Sequence, residues 1–100
     1  SNLQEEADVL ILYGSILYSK EANDIDIISV AKGNKLAKIS DIVFKIQETQ
    51  NKKIHSINST QKEFRQELKK PNKAYSDAVK KGIVLFGQEN FIRFMKELQK

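Results

Sequence analysis

Two carboxylates flank one isoleucine in Asp24-Ile25-Asp26-Ile27, inside a run that otherwise reads as buried strand. Ten residues before the first of them, Tyr13-Gly14-Ser15 closes another apolar run. In a strand, residues two apart share a face, about 6.6 Å from one another at a rise of roughly 3.3 Å per residue. Asp24 and Asp26 are therefore expected to project together, with Ile25 and Ile27 turned to the core. Each carboxylate pushes the other toward protonation unless a cation stands near both. Mg²⁺ suits that role, because it takes one or two carboxylates and completes its shell with water and substrate phosphates. Gly14-Ser15 adds the other half. A strand that ends in Gly-Ser and turns into a helix offers backbone N–H groups and a hydroxyl to an anion. Glycine lets phosphates approach the backbone, and a side chain there would crowd them. A phosphate cradle beside paired carboxylates is a layout for metal-assisted phosphoryl or nucleotidyl transfer. Taken singly, Asp-x-Asp also describes a solvated strand end, and Gly-Ser a plain turn.

The surrounding elements must hold these residues. "DVLILY", 8–13, reads as a short buried strand, and "DIDIISV", 24–30, as a second. Between them, 16–23 suggests one or two helical turns and then a loop. Residues 35–50 place Leu36, Ile39, Ile42, Val43 and Ile46 at helical spacing. "KIHSINS", 53–59, is a third, weaker strand. Thr60 and Glu63 form a capping-box pattern that opens a helix running to about Lys69, and Pro71 ends it. Asn72 is expected to cap a further short helix with Ala74, Tyr75 and Ala78 or Val79 inward. Gly82 sits where a helix end takes a left-handed residue. "IVLF", 83–86, is a fourth strand, and 89–99 a last helix with Phe91, Phe94, Met95 and Leu98 on one face. The expected fold is α+β with an α/β-like alternation: a small mixed sheet of about four strands flanked by helices.

The totals fit one domain over residues 1–100. The early strand suggests a domain cut from a longer chain, and Ser1-Asn2 reads as a cloning remnant. A hydrophobic fraction of 40% and eight aromatics argue against disorder. The lack of cysteine removes disulfides, thiolate metal sites and thiol nucleophiles. With no membrane-length apolar run and no signal peptide, the expected setting is cytoplasmic, with no membrane partner. The formal net charge of +4 is unevenly spread: residues 1–31 hold six acids and one lysine, the remainder seven acids and sixteen Lys/Arg. An acidic spot in a basic surround suits a metal ion with a polyanion. A lysine-rich solvated surface would look the same.

The ordered pattern Tyr13-Gly14-Ser15, eight residues, Asp24-Ile25-Asp26-Ile27 resembles the nucleotidyltransferase superfamily, the group of DNA polymerase beta, kanamycin nucleotidyltransferase and the minimal nucleotidyltransferase domains. "FRQELKKPNKAYSDAVKKGIVLFG" also looks like the tail of the minimal domains. The resemblance implies a nucleotidyltransferase-like fold, Asp24 and Asp26 as catalytic metal ligands for Mg²⁺ or Mn²⁺, and Gly14 and Ser15 as the cradle of an NTP, with ATP as the expected nucleotide. Two departures stand out. The eight-residue spacer is short, and Ile16-Leu17-Tyr18 replaces the family's small-residue, Arg and Gly pattern, leaving Lys20 as the nearby cation. Active members also carry a third carboxylate on the next strand, whereas no Asp or Glu occurs between Glu48 and Glu63.

His55, the only histidine, falls nearest that third position. Imidazole titrates near neutrality and could act as a general base. As a ligand it suits Mn²⁺ better than Mg²⁺. It could equally be a polar strand residue with no chemical role. Two functions follow. One is a metal-dependent nucleotidyltransferase whose acceptor site comes from an additional domain or partner protein. The other is a catalytically weak or inactive nucleotide-binding regulatory module, at the end of a DNA-binding regulator or as the antitoxin partner of a small helical toxin. Direct nucleic-acid binding ranks third, since the lysines come with little arginine and few interleaved aromatics.

Overall fold

The apolar run 9–13 becomes the strand to which the sheet's acidic end and its far edge are both attached. A computed structural model describes residues 2–98. Its elements are α1 (Leu3–Glu6), β1 (Val9–Tyr13), β2 (Asp24–Val30), α2 (Leu36–Gln47), β3 (Lys53–Ser59), α3 (Gln61–Leu68), α4 (Lys73–Lys81), β4 (Ile83–Phe86) and α5 (Gln88–Leu98). The four strands make one sheet in the order β3-β2-β1-β4. β1 runs antiparallel to β2 and β4, while β2 and β3 are parallel. A parallel pair requires a crossover, and α2 supplies it. The fold is the expected α+β arrangement around a mixed four-stranded sheet.

The central strands are buried on both faces, which is why β1 and the second half of β2 read as continuous apolar runs rather than alternating ones. On one face Val9, Ile11, Tyr13, Ile28 and Val30 pack with Phe64 of α3, Tyr75 and Ala78 of α4 and Phe94 of α5. The Phe64 and Tyr75 rings lie 5.8 Å apart at 50°, a tilted contact favourable to both. On the other face Leu10 and Ile27 pack with Ala7, Ala31, Ile39 and Val43. The edge strand β3 is more polar. Ser29 Oγ and Ser56 Oγ both donate to Asn58 Oδ1, at 2.8 and 2.7 Å, and Asn58 Nδ2 donates to Ser40 Oγ of α2 at 3.2 Å. That network satisfies the fully buried Ser29 hydroxyl.

Of the one or two helical turns expected after β1, one is present, the 3₁₀ turn Ser15–Leu17. Other local expectations need correction. α2 is shorter than 35–50, because Gly33–Lys35 forms a 3₁₀ turn before it and Thr49 and Gln50 bend back onto Ile46 and Gln47 after it. Asn72 stands at the start of α4 but makes no side-chain cap; its Nδ2 donates to Glu67 Oε1 instead, at 3.4 Å. Gly82 is not left-handed. At φ −77° and ψ 173° it is extended, and it is glycine for want of space: a Cβ would meet the Ala78 carbonyl, Ile11 Cγ2 at 2.8 Å and the Leu12 carbonyl at 2.9 Å. The capping box of α3 is as expected, with Glu63 N donating to Thr60 Oγ1 at 3.2 Å and Thr60 N donating to Glu63 Oε1 at 2.9 Å. In the last helix Phe94 is buried and Phe91 packs against the same core. Ser1 and Gln99, included in the expectations for the two ends, lie outside the described residues.

α1 has no apolar stripe long enough to be seen in the sequence. Asn2 Oδ1 accepts from Glu5 N at 3.1 Å to cap it, and Glu6, only 8% exposed, lies 3.1 Å from Lys35 Nζ and 3.3 Å from Lys38 Nζ. The two ammonium groups, Lys35 foremost, hold the Glu6 carboxyl below its ordinary value of 4.5 against the opposing effect of burial. A carboxyl lowered on folding stabilises the protein above its unfolded value and loses that contribution as pH falls through the folded one. Thermal melts should therefore drop as pH goes below about 4.5. Glu6→Gln should melt lower than wild type at pH 7 by a few degrees, the gap closing at pH 3. A gap that persisted unchanged at pH 3 would assign the loss to packing rather than to charge.

Candidate functional site

The register of the strands sets the aspartates in a small array. Asp26 is opposite Tyr13 on β1 and His55 on β3, and Asp24 is opposite Lys53. Directly paired residues share a face, so Tyr13, Asp24, Asp26, Lys53 and His55 all lie on the side of the sheet that α3–α5 cover. The next row inward, Ile57, Ile28, Ile11 and Val84, belongs to that side's core. Ile27 is buried on the opposite face and Ile25 packs beside it, so the alternation is as the sequence required. The acidic end of β2 is where the helical cover stops. The side chains of Asp24 and His55 are 50% and 46% exposed, and His55 Nε2 lies 3.5 Å from Asp24 Oδ2. This contact is an ion pair when the imidazole is protonated.

Gly14 meets Asp26 from the other strand. Its φ of +85° and ψ of −164° fall in a region that essentially only glycine populates. A Cβ at Gly14 would run into Asp26 Oδ2, with Asp26 Cγ at 3.3 Å. The turn and the carboxylate are therefore in direct contact. In the 3₁₀ turn Leu17 N donates to the Gly14 carbonyl at 3.1 Å, and Tyr18 N and Ser19 N donate to the Ser15 carbonyl at 2.9 Å. The first N–H groups of such a turn have no partner within it, and the exposed Ser15 stands at that end. The chain then crosses to β2, with Lys52 Nζ donating to the Ala22 carbonyl and Lys53 N to the Asn23 carbonyl at 3.0 Å. Lys20 is exposed in this crossing, and none of the ion pairs among the described residues involves it. The structure thus sets Gly14 against Asp26 and His55 against Asp24, keeps Ser15 next to Gly14, and gives Lys20 no defined place in the array.

Tyr13 is the participant that pattern reading passed over. It is buried, and burial pushes its phenol up to about 12, with Asp26, Tyr75 and Asp77 adding to the rise. It stays a neutral hydroxyl on the strand beside Asp26. Its signal in the sequence was its place directly before Gly14, where it read as the apolar end of a strand. Asp77, on α4, is the acid that approaches this side from the helical layer, but its carboxylate is bound by Lys73 Nζ at 2.7 Å, which lowers it below its ordinary value.

The donor set can be weighed against a cation on these terms. Among the described residues, no group of three or more His, Cys, Asp or Glu side chains is placed to hold a metal ion. Two carboxylates beside an exposed turn fit a hard cation that completes its shell with water and phosphate oxygens. They do not match a closed protein cage. No family model, curated protein or solved structure matches this chain. No helix of the described residues is long and apolar enough to cross a membrane.

Proposed function

We propose that this chain is a nucleotidyltransferase-like module that binds a nucleoside triphosphate with Mg²⁺ or Mn²⁺ at the acidic end of its sheet. The observation that carries the reading is the position of Asp26. One strand neighbour places the Gly14 turn against its carboxylate, and the other places His55 in register beside it. Asp24 and Asp26 would hold the cation, and the Gly14-Ser15 turn would receive phosphate oxygens. A bound divalent cation supplies charge neutralisation for the phosphates and polarises them. Gly14 keeps the backbone low at the carboxylate, Tyr13 stands uncharged on the strand beside it, and Ser15 contributes a hydroxyl from an exposed position.

His55 separates binding from transfer. It falls nearest the place where the resemblance calls for a third carboxylate, and it contacts Asp24. A neutral imidazole can accept a proton from an acceptor hydroxyl; a protonated one paired with Asp24 cannot. The lack of any carboxylate between Glu48 and Glu63 supports a nucleotide-binding module in which transfer is slow or absent. The transferase reading rests on the same imidazole in its neutral form, with the acceptor held by another domain or protein.

The test compares wild type, His55→Ala and His55→Asp, each measured for ATP binding and for transfer of label from α-labelled ATP in Mg²⁺ and in Mn²⁺. Binding in all three with no transfer by wild type is the expected result. Transfer by wild type that falls about 10²-fold or more in His55→Ala would instead make the histidine a general base. Absence of ATP binding by wild type in either metal would remove the whole reading.

A further inference from the structure

The opposite end of the sheet carries a second, separate feature. Where the parallel strands β2 and β3 end, the chain turns into α2 on one side and α3 on the other, and α5 crosses beside them. A cleft of about 580 Å³ opens there, lined by Lys32 after β2, Lys62 and Arg65 of α3, and Arg93 of α5, with Asp8 as its one acid. The sequence showed these only as scattered basic residues, spread over sixty positions; the fold draws them to one concavity.

Two of the four cations are fixed in place. Arg65 Nη1 donates to Glu97 Oε2 at 2.6 Å, and Gln61 Nε2 donates to the same oxygen at 2.9 Å. Arg93 Nη2 donates to Asn90 Oδ1 at 3.0 Å, its guanidinium lies 5.5 Å from the Phe94 ring centre, and Asn90 Nδ2 donates to the Asp8 carbonyl at 3.0 Å. Lys32 and Lys62 are exposed and take part in none of the ion pairs among the described residues. Glu97 offsets Arg65, so three cations face one acid. Such like charges repel until an anion stands between them, and an arginine held by its own hydrogen bonds loses little freedom on meeting one.

We propose that this cleft binds a compact polyphosphate anion, such as pyrophosphate or an inorganic triphosphate, independently of the aspartate end and without a divalent cation. Its volume lies in the range of small-ligand sites. No aromatic side chain lines it; the Phe94 ring is buried beneath. A base-stacking platform is therefore lacking.

Calorimetric titration with tripolyphosphate, on protein freed of divalent cations and at low ionic strength, tests this. Wild type should bind. The triple variant Lys32→Gln/Lys62→Gln/Arg93→Gln should bind at least about tenfold more weakly, since charge-assisted hydrogen bonds are lost. Arg93→Gln alone should show a smaller loss in the same direction, which serves if the triple variant is not native by circular dichroism. A control of equal charge, Lys45→Gln/Lys80→Gln/Lys81→Gln, and the pair Asp24→Asn/Asp26→Asn should bind as wild type does. The proposal is overturned if wild type fails to bind, if the control loses as much as the cleft variant, or if a single-stranded oligonucleotide displaces tripolyphosphate at lower concentration than pyrophosphate does.

Discussion

Asp26→Asn should abolish the rise in melting temperature that Mg²⁺ or Mn²⁺ gives the wild-type protein in the presence of ATP. A ligand that binds only the folded state stabilises it by RT ln(1 + [L]/Kd), about 1.4 kcal/mol at ten times Kd. For a domain of this size that is a shift of roughly 5–11 °C. Asp24→Asn should remove most of it as well, but with a different side effect. Asp24 is half exposed and faces Lys53 and His55, so its loss leaves two cationic or ionisable neighbours without a counter-charge. Asp26 faces the neutral Tyr13 and the Gly14 turn, and an amide there relieves charge on the core side. Without metal, Asp26→Asn should melt at or above wild type and Asp24→Asn at or below it. Differential scanning fluorimetry across a metal titration reads both effects. A metal response of wild-type size in both variants would place the cation elsewhere.

Much of this arrangement was legible in the chain because it rests on short-range rules. Strand periodicity put Asp24 and Asp26 on one face. The Thr60–Glu63 box and Pro71 marked α3, and the strand-helix alternation gave the sheet. What was not legible depends on contacts between distant segments. Nothing local says that Asp26 touches Gly14, that Tyr13 pairs with it across the strands, or that Lys32, Lys62 and Arg93 converge. α1 was missed because four residues carry no periodicity and its anchor, Glu6, is defined by lysines thirty residues away. Gly82 was misread for a related reason. A glycine after a helix usually signals a left-handed backbone, but here the constraint is the approach of β1, which belongs to tertiary packing.

Gly14→Val is expected to destabilise the protein by about 3 kcal/mol or more, and Gly14→Ala by a somewhat smaller amount, before any ligand is considered. The sequence suggested that a side chain here would crowd phosphates. The structure shows that it crowds Asp26 first. Two costs combine: a backbone with φ at +85°, which an L side chain adopts only under strain, and a Cβ driven into a carboxylate oxygen. They separate in a double-mutant cycle. In an Asp26→Ala background the carboxylate is gone and only Asp26 Cβ remains, at an ordinary 3.5 Å. Gly14→Ala should then cost only the backbone part, roughly 1–3 kcal/mol, and the coupling between the two positions should be about 1 kcal/mol or larger. Urea melts of the four proteins measure this directly. The coupling also bears on function. If the Gly14 turn sets where the Asp26 carboxylate points, Gly14→Ala should lose the metal-dependent stabilisation although it removes no ligand atom. Additive effects in the cycle, with a normal metal response in Gly14→Ala, would mean that the turn and the carboxylate act apart, and that the Gly-Ser segment is a chain reversal with no part in the site.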